Sequence, residues 1–164
     1  MPAGSGTERT AKSIEPNREM PERELIDAPT ARRLMDAAIA ARGRAYAPYS
    51  HFPVGAAALA ENGTIFTGCN VENAAYGLTL CGERIALFKA VSEGMTDFEA
   101  IAVVGPDDNA ACPPCGSCRQ VMAEFAPDLV VLTPDGTGGI VQRLLRELLP
   151  GAFDSSWLPT GDDA

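Results

Sequence analysis

Apolar positions first repeat with a helical period at Leu34, Ala37, Ala38, Ala41 and Ala45, a stripe that buries one face of a helix. Thr30 can cap its start, and Pro48 demands an end near Ala45. Val54 to Ala60 is a run of small apolar residues that reads as a strand. Asn62-Gly63 is a hairpin turn signal, and a second strand follows from Thr64 to about Cys69. Ile85, Leu87, Phe88 and Val91 fit the buried side of a helix from about Leu80 to Glu93, closed by Gly94. Ala100 to Val104 is a short continuous apolar run, read as a buried strand. A helix is predicted over Cys115 to Phe125, a fourth strand over Leu129 to Leu132, and a fifth over Gly139 to Val141 after the Pro134-Asp135-Gly136 turn. Leu144, Leu145, Leu148 and Leu149 mark one more helix before Pro150. The order α-β-β-α-β-α-β-β-α predicts an α/β fold: a three-layer α/β/α sandwich around a mixed sheet of about five strands.

The flanks lack this periodicity. Residues 1–28 are rich in Pro, Gly, Glu, Arg and Thr and read as a flexible N-terminal tail, with residues 29–158 as one folded domain and 159–164 as a C-terminal tail. No internal repeat or second domain interrupts the middle. The formal charge of −9 argues against a polynucleotide partner, since no Lys/Arg cluster offers a local basic patch. A small substrate is expected instead. No apolar run approaches the roughly 18 residues of a membrane span, and the N-terminus lacks the apolar core of a signal peptide. The five cysteines are an odd count, which favours reduced thiols in a cytoplasm over a disulfide framework.

Two stretches carry chemistry: Cys81-Gly82-Glu83-Arg84, and Pro113-Pro114-Cys115-Gly116-Ser117-Cys118-Arg119. The CxxC pair sets two sulfurs on one side of a turn, close enough to share a Zn²⁺ at roughly 2.3 Å per bond. With Cys81 as a third ligand, one tetrahedral position stays open for a water that the metal acidifies. Glu83, two residues on, would point near the metal without binding it and move protons. All three thiols fall at predicted helix N-termini, where partial positive charge favours the thiolate. Three thiolates leave the site with a net charge of −1. Arg84 or Arg119 is therefore expected to hydrogen-bond a ligand sulfur. The plainer readings are a redox CxxC pair and a structural zinc site closed by a fourth ligand from Cys69, Cys112 or His51. The polar loop Asn70-Val71-Glu72-Asn73 is equally a turn and a place for substrate contacts.

Cys-x-Glu followed by Pro-Cys-x-x-Cys is the arrangement of the zinc deaminases, and the chain resembles the small cytidine deaminases of pyrimidine salvage from about Ala31 to Phe153. The resemblance also rests on Tyr49-Ser50-His51-Phe52-Pro53-Val54-Gly55-Ala56, Gly68-Cys69-Asn70-Val71-Glu72-Asn73-Ala74, Ala90-Val91-Ser92-Glu93-Gly94, Cys118-Arg119-Gln120-Val121 and Leu148-Leu149-Pro150. It implies that Cys81, Cys115 and Cys118 hold zinc and that Glu83 is catalytic, protonating N3 and then the leaving amine as activated water attacks C4 of cytosine. It implies that Asn70 and Glu72 grip the ribose 3′-hydroxyl, which admits both cytidine and deoxycytidine. Phe52 and Phe153 correspond to aromatics on the pyrimidine, the second reaching into a neighbouring subunit's site. Gly82 and Cys115 correspond to contacts around the base. Arg84 matches the arginine that offsets thiolate charge in the three-cysteine, homotetrameric branch. One position departs: the family normally has Ala where this chain has Gly82. Other deaminase substrates, such as blasticidin S or a modified nucleoside, and a non-catalytic zinc-stabilised binding protein are the competing readings.

Overall fold

Strand β1, Gly55–Ala60, is buried at every position, because all but one of its side chains are a hydrogen or a methyl group. In the computed structural model, which describes residues 25–158, it joins β2 (Ile65–Cys69), β3 (Phe98–Val104), β4 (Val130–Pro134) and β5 (Ile140–Leu144) in one sheet. The order is β2-β1-β3-β4-β5. The β3–β4 pair is parallel and the other pairings are antiparallel. This is the mixed five-stranded sheet that the pattern predicts.

Helix α1 (Ala28–Arg42) covers one face, setting Leu34, Met35 and Ala38 on Ala57, Leu59, Ala102 and Leu132. Helices α2 (Gly82–Ser92) and α3 (Gly116–Phe125), with the single turn α4 (Leu145–Leu148), cover the other. There Ala86, Leu87, Met122 and Leu145 meet Ala56, Ala58, Ile101 and Val131. Neighbouring residues of β1 and β3 thus serve opposite layers. Apart from Glu99 of β3 their sequence is apolar, and it hides an alternation over Ala56 to Ala60 and Ala100 to Val104, as expected of strands covered on both sides. Among the described residues no helix is long and apolar enough to cross a membrane.

The boundaries differ from the expected ones where polar residues belong to an element. Thr30 does not cap α1. Asp27 does, accepting the Thr30 N–H at 3.0 Å, and the helix starts at Ala28 because Pro29 sits in the first turn, where no N–H is needed. The helix also ends earlier than expected, at Arg42 with Gly43 as its cap. Strand β5 runs on through Gln142 and Arg143 to Leu144, since an edge strand tolerates polar side chains. Residues 1–24 and 159–164, expected as tails, lie outside the described residues. Ile26 is already docked: its N–H and C=O pair with the Gln142 side chain at 2.9 and 2.8 Å.

Small residues let the layers touch. A Cβ on Gly55 would fall 2.0 Å from the Ala38 carbonyl oxygen and 2.6 Å from the Arg42 nitrogen, both backbone. Gly55→Ala is therefore expected to cost about 3 kcal/mol or more, the upper end for overpacking, read as a lowered Tm. Gly77→Ala, with open space around it, should leave the Tm nearly unchanged. A second test is electrostatic. The Thr30 backbone N–H and hydroxyl hold the Asp27 carboxyl below its ordinary 3.8, so its stabilising effect is complete above that value and disappears as pH falls through the folded one. The Tm gap between the parent and Asp27→Ala should narrow in acid.

Candidate metal centre and active site

Cys81 is the N-cap of α2, Cys115 the N-cap of α3, and Cys118 stands in the first turn of α3. The two helix N-termini therefore aim their free N–H groups and partial positive charge at one place. The three sulfurs lie within 4.8 Å of one another. Cys81 and Cys115 Sγ are 3.9 Å apart, and Cys115 and Cys118 Sγ 3.5 Å. A tetrahedral zinc with bonds of about 2.3 Å spaces its sulfurs by about 3.8 Å, so the cluster fits the ion with little adjustment. Neither Cys69, Cys112 nor His51 joins this metal-sized cluster. The redox-pair reading also loses ground, because the CxxC sulfurs share their space with a third thiol.

The charges are arranged for the same purpose. The Cys81 thiol is held well below the usual thiol range, first by its hydrogen bond with Cys118 and then by Arg84, whose Nη2 lies 3.6 Å from Cys81 Sγ. Cys118 is pushed up by that same hydrogen bond and by burial. Arg84 also donates to the Thr79 carbonyl at 3.1 Å, which fixes its head beside the sulfur. Arg119, the alternative partner, instead donates to the carbonyls of Pro114 and Leu148, at 2.8 and 2.7 Å. It braces the loop before α3. Glu83, in the first turn of α2, is only 3% exposed. Burial raises its pKa, and the charge of Cys81 adds to the effect. Its Oε2 has no hydrogen-bond partner among the described residues. A buried carboxyl oxygen left unpaired beside three convergent thiols calls for a polar group between them.

The remaining expected residues surround this centre unevenly. Asn70, 7% exposed, spends its amide on the neighbouring loop: Oδ1 accepts from the Val54 N–H at 2.8 Å and Nδ2 donates to the Phe52 carbonyl at 2.9 Å. Glu72 accepts from the Tyr49 and Ser50 N–H groups at 2.9 and 3.2 Å and from the Ser50 hydroxyl. Phe52 is half exposed, its ring 3.5 Å from where a Gly105 Cβ would stand, with Cys112 Sγ 3.1 Å from that point. Gly82 is buried, and a Cβ there would lie 3.2 Å from Cys69 Cα, so an alanine requires a shift of a few tenths of an ångström. Phe153 is exposed, and Gln120 of α3 holds its carbonyl at 2.7 Å. No described contact carries it to the thiols of its own chain.

Comparison with known proteins agrees with this geometry. Residues 29–133 match the family model described as the cytidine and deoxycytidylate deaminase zinc-binding region. The chain belongs to the cytidine deaminase family. Cytidine deaminase of Halalkalibacterium halodurans is 55% identical over 121 residues, 73% of this chain and 91% of that one. Cytidine deaminase of Sporosarcina psychrophila is 54% identical over 114 residues, 69% of this chain and 83% of that one. The crystal structure of cytidine deaminase from Burkholderia pseudomallei superposes with a TM-score of 0.70 at 50% identity, covering 74% of this chain and 98% of that one. The metal of the site is Zn²⁺, as both the zinc-binding family region and the three-thiol cluster require.

The sequence reading assigned no part to Ser50 or Thr79 and named Cys112 only as a candidate fourth ligand of a structural zinc site. Thr79 accepts from the Asn73 N–H at 3.1 Å through its hydroxyl while its carbonyl holds Arg84. Cys112 is half-buried, its thiol pushed up by burial and by the nearby charges of Glu83 and Cys81. Ser50 carried a signal beforehand as part of the Tyr49-to-Ala56 run, and Thr79 carried none. Metal binding has a direct spectroscopic check. Co²⁺ added to the metal-stripped protein should give intense thiolate-to-metal bands in the near ultraviolet, weakened in Cys81→Ala, Cys115→Ala and Cys118→Ala but not in Cys112→Ala.

Proposed function

We propose that the chain is a zinc-dependent cytidine deaminase that converts cytidine and deoxycytidine to uridine and deoxyuridine, releasing ammonia. The observation that carries the reading is the unpaired Glu83 oxygen buried beside three thiols at two helix N-termini. Cys81, Cys115 and Cys118 would hold the ion and leave one coordination position for water. Bound there, Zn²⁺ supplies a nucleophile at neutral pH by lowering the pKa of water. Glu83 takes the proton that the water gives up and passes it to N3 of the cytosine as a C–O bond forms at C4. A further proton goes through Glu83 to the amino group, the C4–N bond breaks, and ammonia leaves. Its burial suits it to this, since a carboxyl whose pKa is raised holds a proton more readily than an exposed one and can still return it. Arg84 offsets the surplus thiolate charge at Cys81.

The substrate fits the rest of the site. Phe52 presents a half-exposed ring to the pyrimidine. Asn70 and Glu72 face the 3′-hydroxyl, which ribose and 2-deoxyribose share. Gly82 offers backbone to the base. Phe153 serves the site of a neighbouring subunit, in a homotetramer with shared active sites. The exposed apolar side chains of Val71, Tyr76, Leu78 and Leu80 support an assembly, since one loop rarely leaves so much apolar surface in water. A cytoplasmic enzyme of pyrimidine salvage follows from the same substrate.

The test is loss of ultraviolet absorbance from cytidine and deoxycytidine, with zinc analysis alongside. Glu83→Gln should lower kcat by about 10²–10⁴-fold, the usual contribution of a positioned proton carrier, with zinc content kept. Turnover of blasticidin S or a modified nucleoside in place of cytidine would transfer the reading to that substrate. Zinc binding without any turnover would leave a binding protein.

A further inference from the structure

We propose that Ser50 is a positioning residue that couples the sugar end of the nucleoside site, at Glu72, to its base-packing end, at Phe52. The inference rests on the deaminase reading above and adds a residue to it. The Ser50 hydroxyl donates to Glu72 Oε1 and accepts from the Phe52 N–H at 3.0 Å. One oxygen atom thus joins the carboxylate that faces the sugar to the backbone of the aromatic that faces the base.

The remaining hydrogen bonds show why this joint has consequences. Glu72 Oε2 already accepts two backbone N–H groups, from Tyr49 and Ser50. Oε1 accepts only the Ser50 hydroxyl among the described contacts, so its second lone pair is the carboxylate's free position for a substrate hydroxyl. The direction of that lone pair is set by where Ser50 holds the oxygen. Phe52 is gripped on both sides of its backbone, its N–H by Ser50 and its carbonyl by Asn70 at 2.9 Å. Between these residues stands His51 with φ of 54°, a left-handed conformation unfavourable for a residue with a Cβ. Local preference does not hold the loop in this shape. The clamps hold it, together with the bond from the His51 N–H to the Ala47 carbonyl at 3.1 Å. The Glu72 carboxyl is kept below its ordinary range, with the Ser50 hydroxyl as the largest cause. Tyr49, Ser50, Glu72, Tyr76 and Thr79 line one open cleft of about 370 Å³, within the roughly 300–1,000 Å³ of small-molecule sites.

The experiment compares kcat and KM for the parent, Ser50→Ala and Ser50→Thr on cytidine and on 3′-deoxycytidine. The parent is expected to prefer cytidine. In Ser50→Ala, KM for cytidine should rise about tenfold, the value of one hydrogen bond to a charged group, with kcat within about twofold. The preference for cytidine over 3′-deoxycytidine should shrink several-fold, because the carboxylate no longer points at the 3′ position. Ser50→Thr keeps the hydroxyl and should retain the parent's values. Equal losses on the two substrates, an unchanged KM, a fall in kcat alone, or a threonine variant as poor as the alanine one would overturn the coupling while leaving the deaminase reading intact. A parent that turns over neither nucleoside would overturn both.

Discussion

Two helix N-termini held at one point are the constraint on which the rest of this molecule depends. Three thiolates repel one another, and their pooled charge is tolerable only where something positive is fixed in place. Here α2 and α3 supply it from their first turns, and Arg84 adds a full charge beside Cys81. The sheet brings the two ends together. Each helix follows a strand of one sheet, and both lie on the same face. Gly68 of β2 permits the close contact on the α2 side, since a Cβ there would sit 2.3 Å from the Gly82 carbonyl oxygen. Small residues in the core are thus part of the metal site, although they touch no metal.

Burial gives the site its second property. Glu83 lies in the first turn of α2, beside the N-cap ligand Cys81, so the same helix delivers a metal ligand and a buried carboxyl. Outside the protein it would be an ordinary acid. Inside, with its Oε2 unpaired, it gives up a proton less readily. Arg84 follows immediately and turns back onto Cys81 and Thr79. Three consecutive positions of one short helix therefore supply a close backbone contact with β2, a buried carboxyl and the positive charge beside Cys81. Arg119, at the matching end of α3, has the different task of tying Pro114 to Leu148.

The loop of residues 49–54 is held by bracing. Asn70 and Glu72 lie just beyond β2, and most of their hydrogen-bonding capacity in the free protein goes to residues 49–54. Polar side chains that already hold a loop cost little further ordering when a ligand arrives, which is the advantage of preorganisation. The same bonds keep the half-exposed ring of Phe52 on a backbone that local preference would not select.

Much of this was legible in the residues themselves. The α/β order, the five strands and the three-thiol set with Glu83 follow from periodicity and from spacings of two or three residues, because such local geometry is fixed by helix and turn dimensions. The start of α1 was misread at Thr30 because a proline in the first turn looks like an interruption to pattern reading, yet it suits that position. Strand β5 was underrated because an edge strand need not be apolar. Spacing alone left Arg84 and Arg119 both open as partners of the sulfur, whereas the family resemblance pointed to Arg84, which is the one beside Cys81. Arg119 follows Cys118 directly and Arg84 stands three positions after Cys81, and the packing around each head selects its acceptor. Nor could one dimension reveal that Ser50 meets Glu72 across 22 positions, or that Cys112 approaches Glu83. The sequence by itself determined the three clustered thiols, the carboxyl beside them and the order of layers, since each depends on residues near one another in the chain. Tertiary structure alone decided how the loop of residues 49–54 is held and how the three thiols come together, because those interactions join segments that meet only when the sheet is assembled.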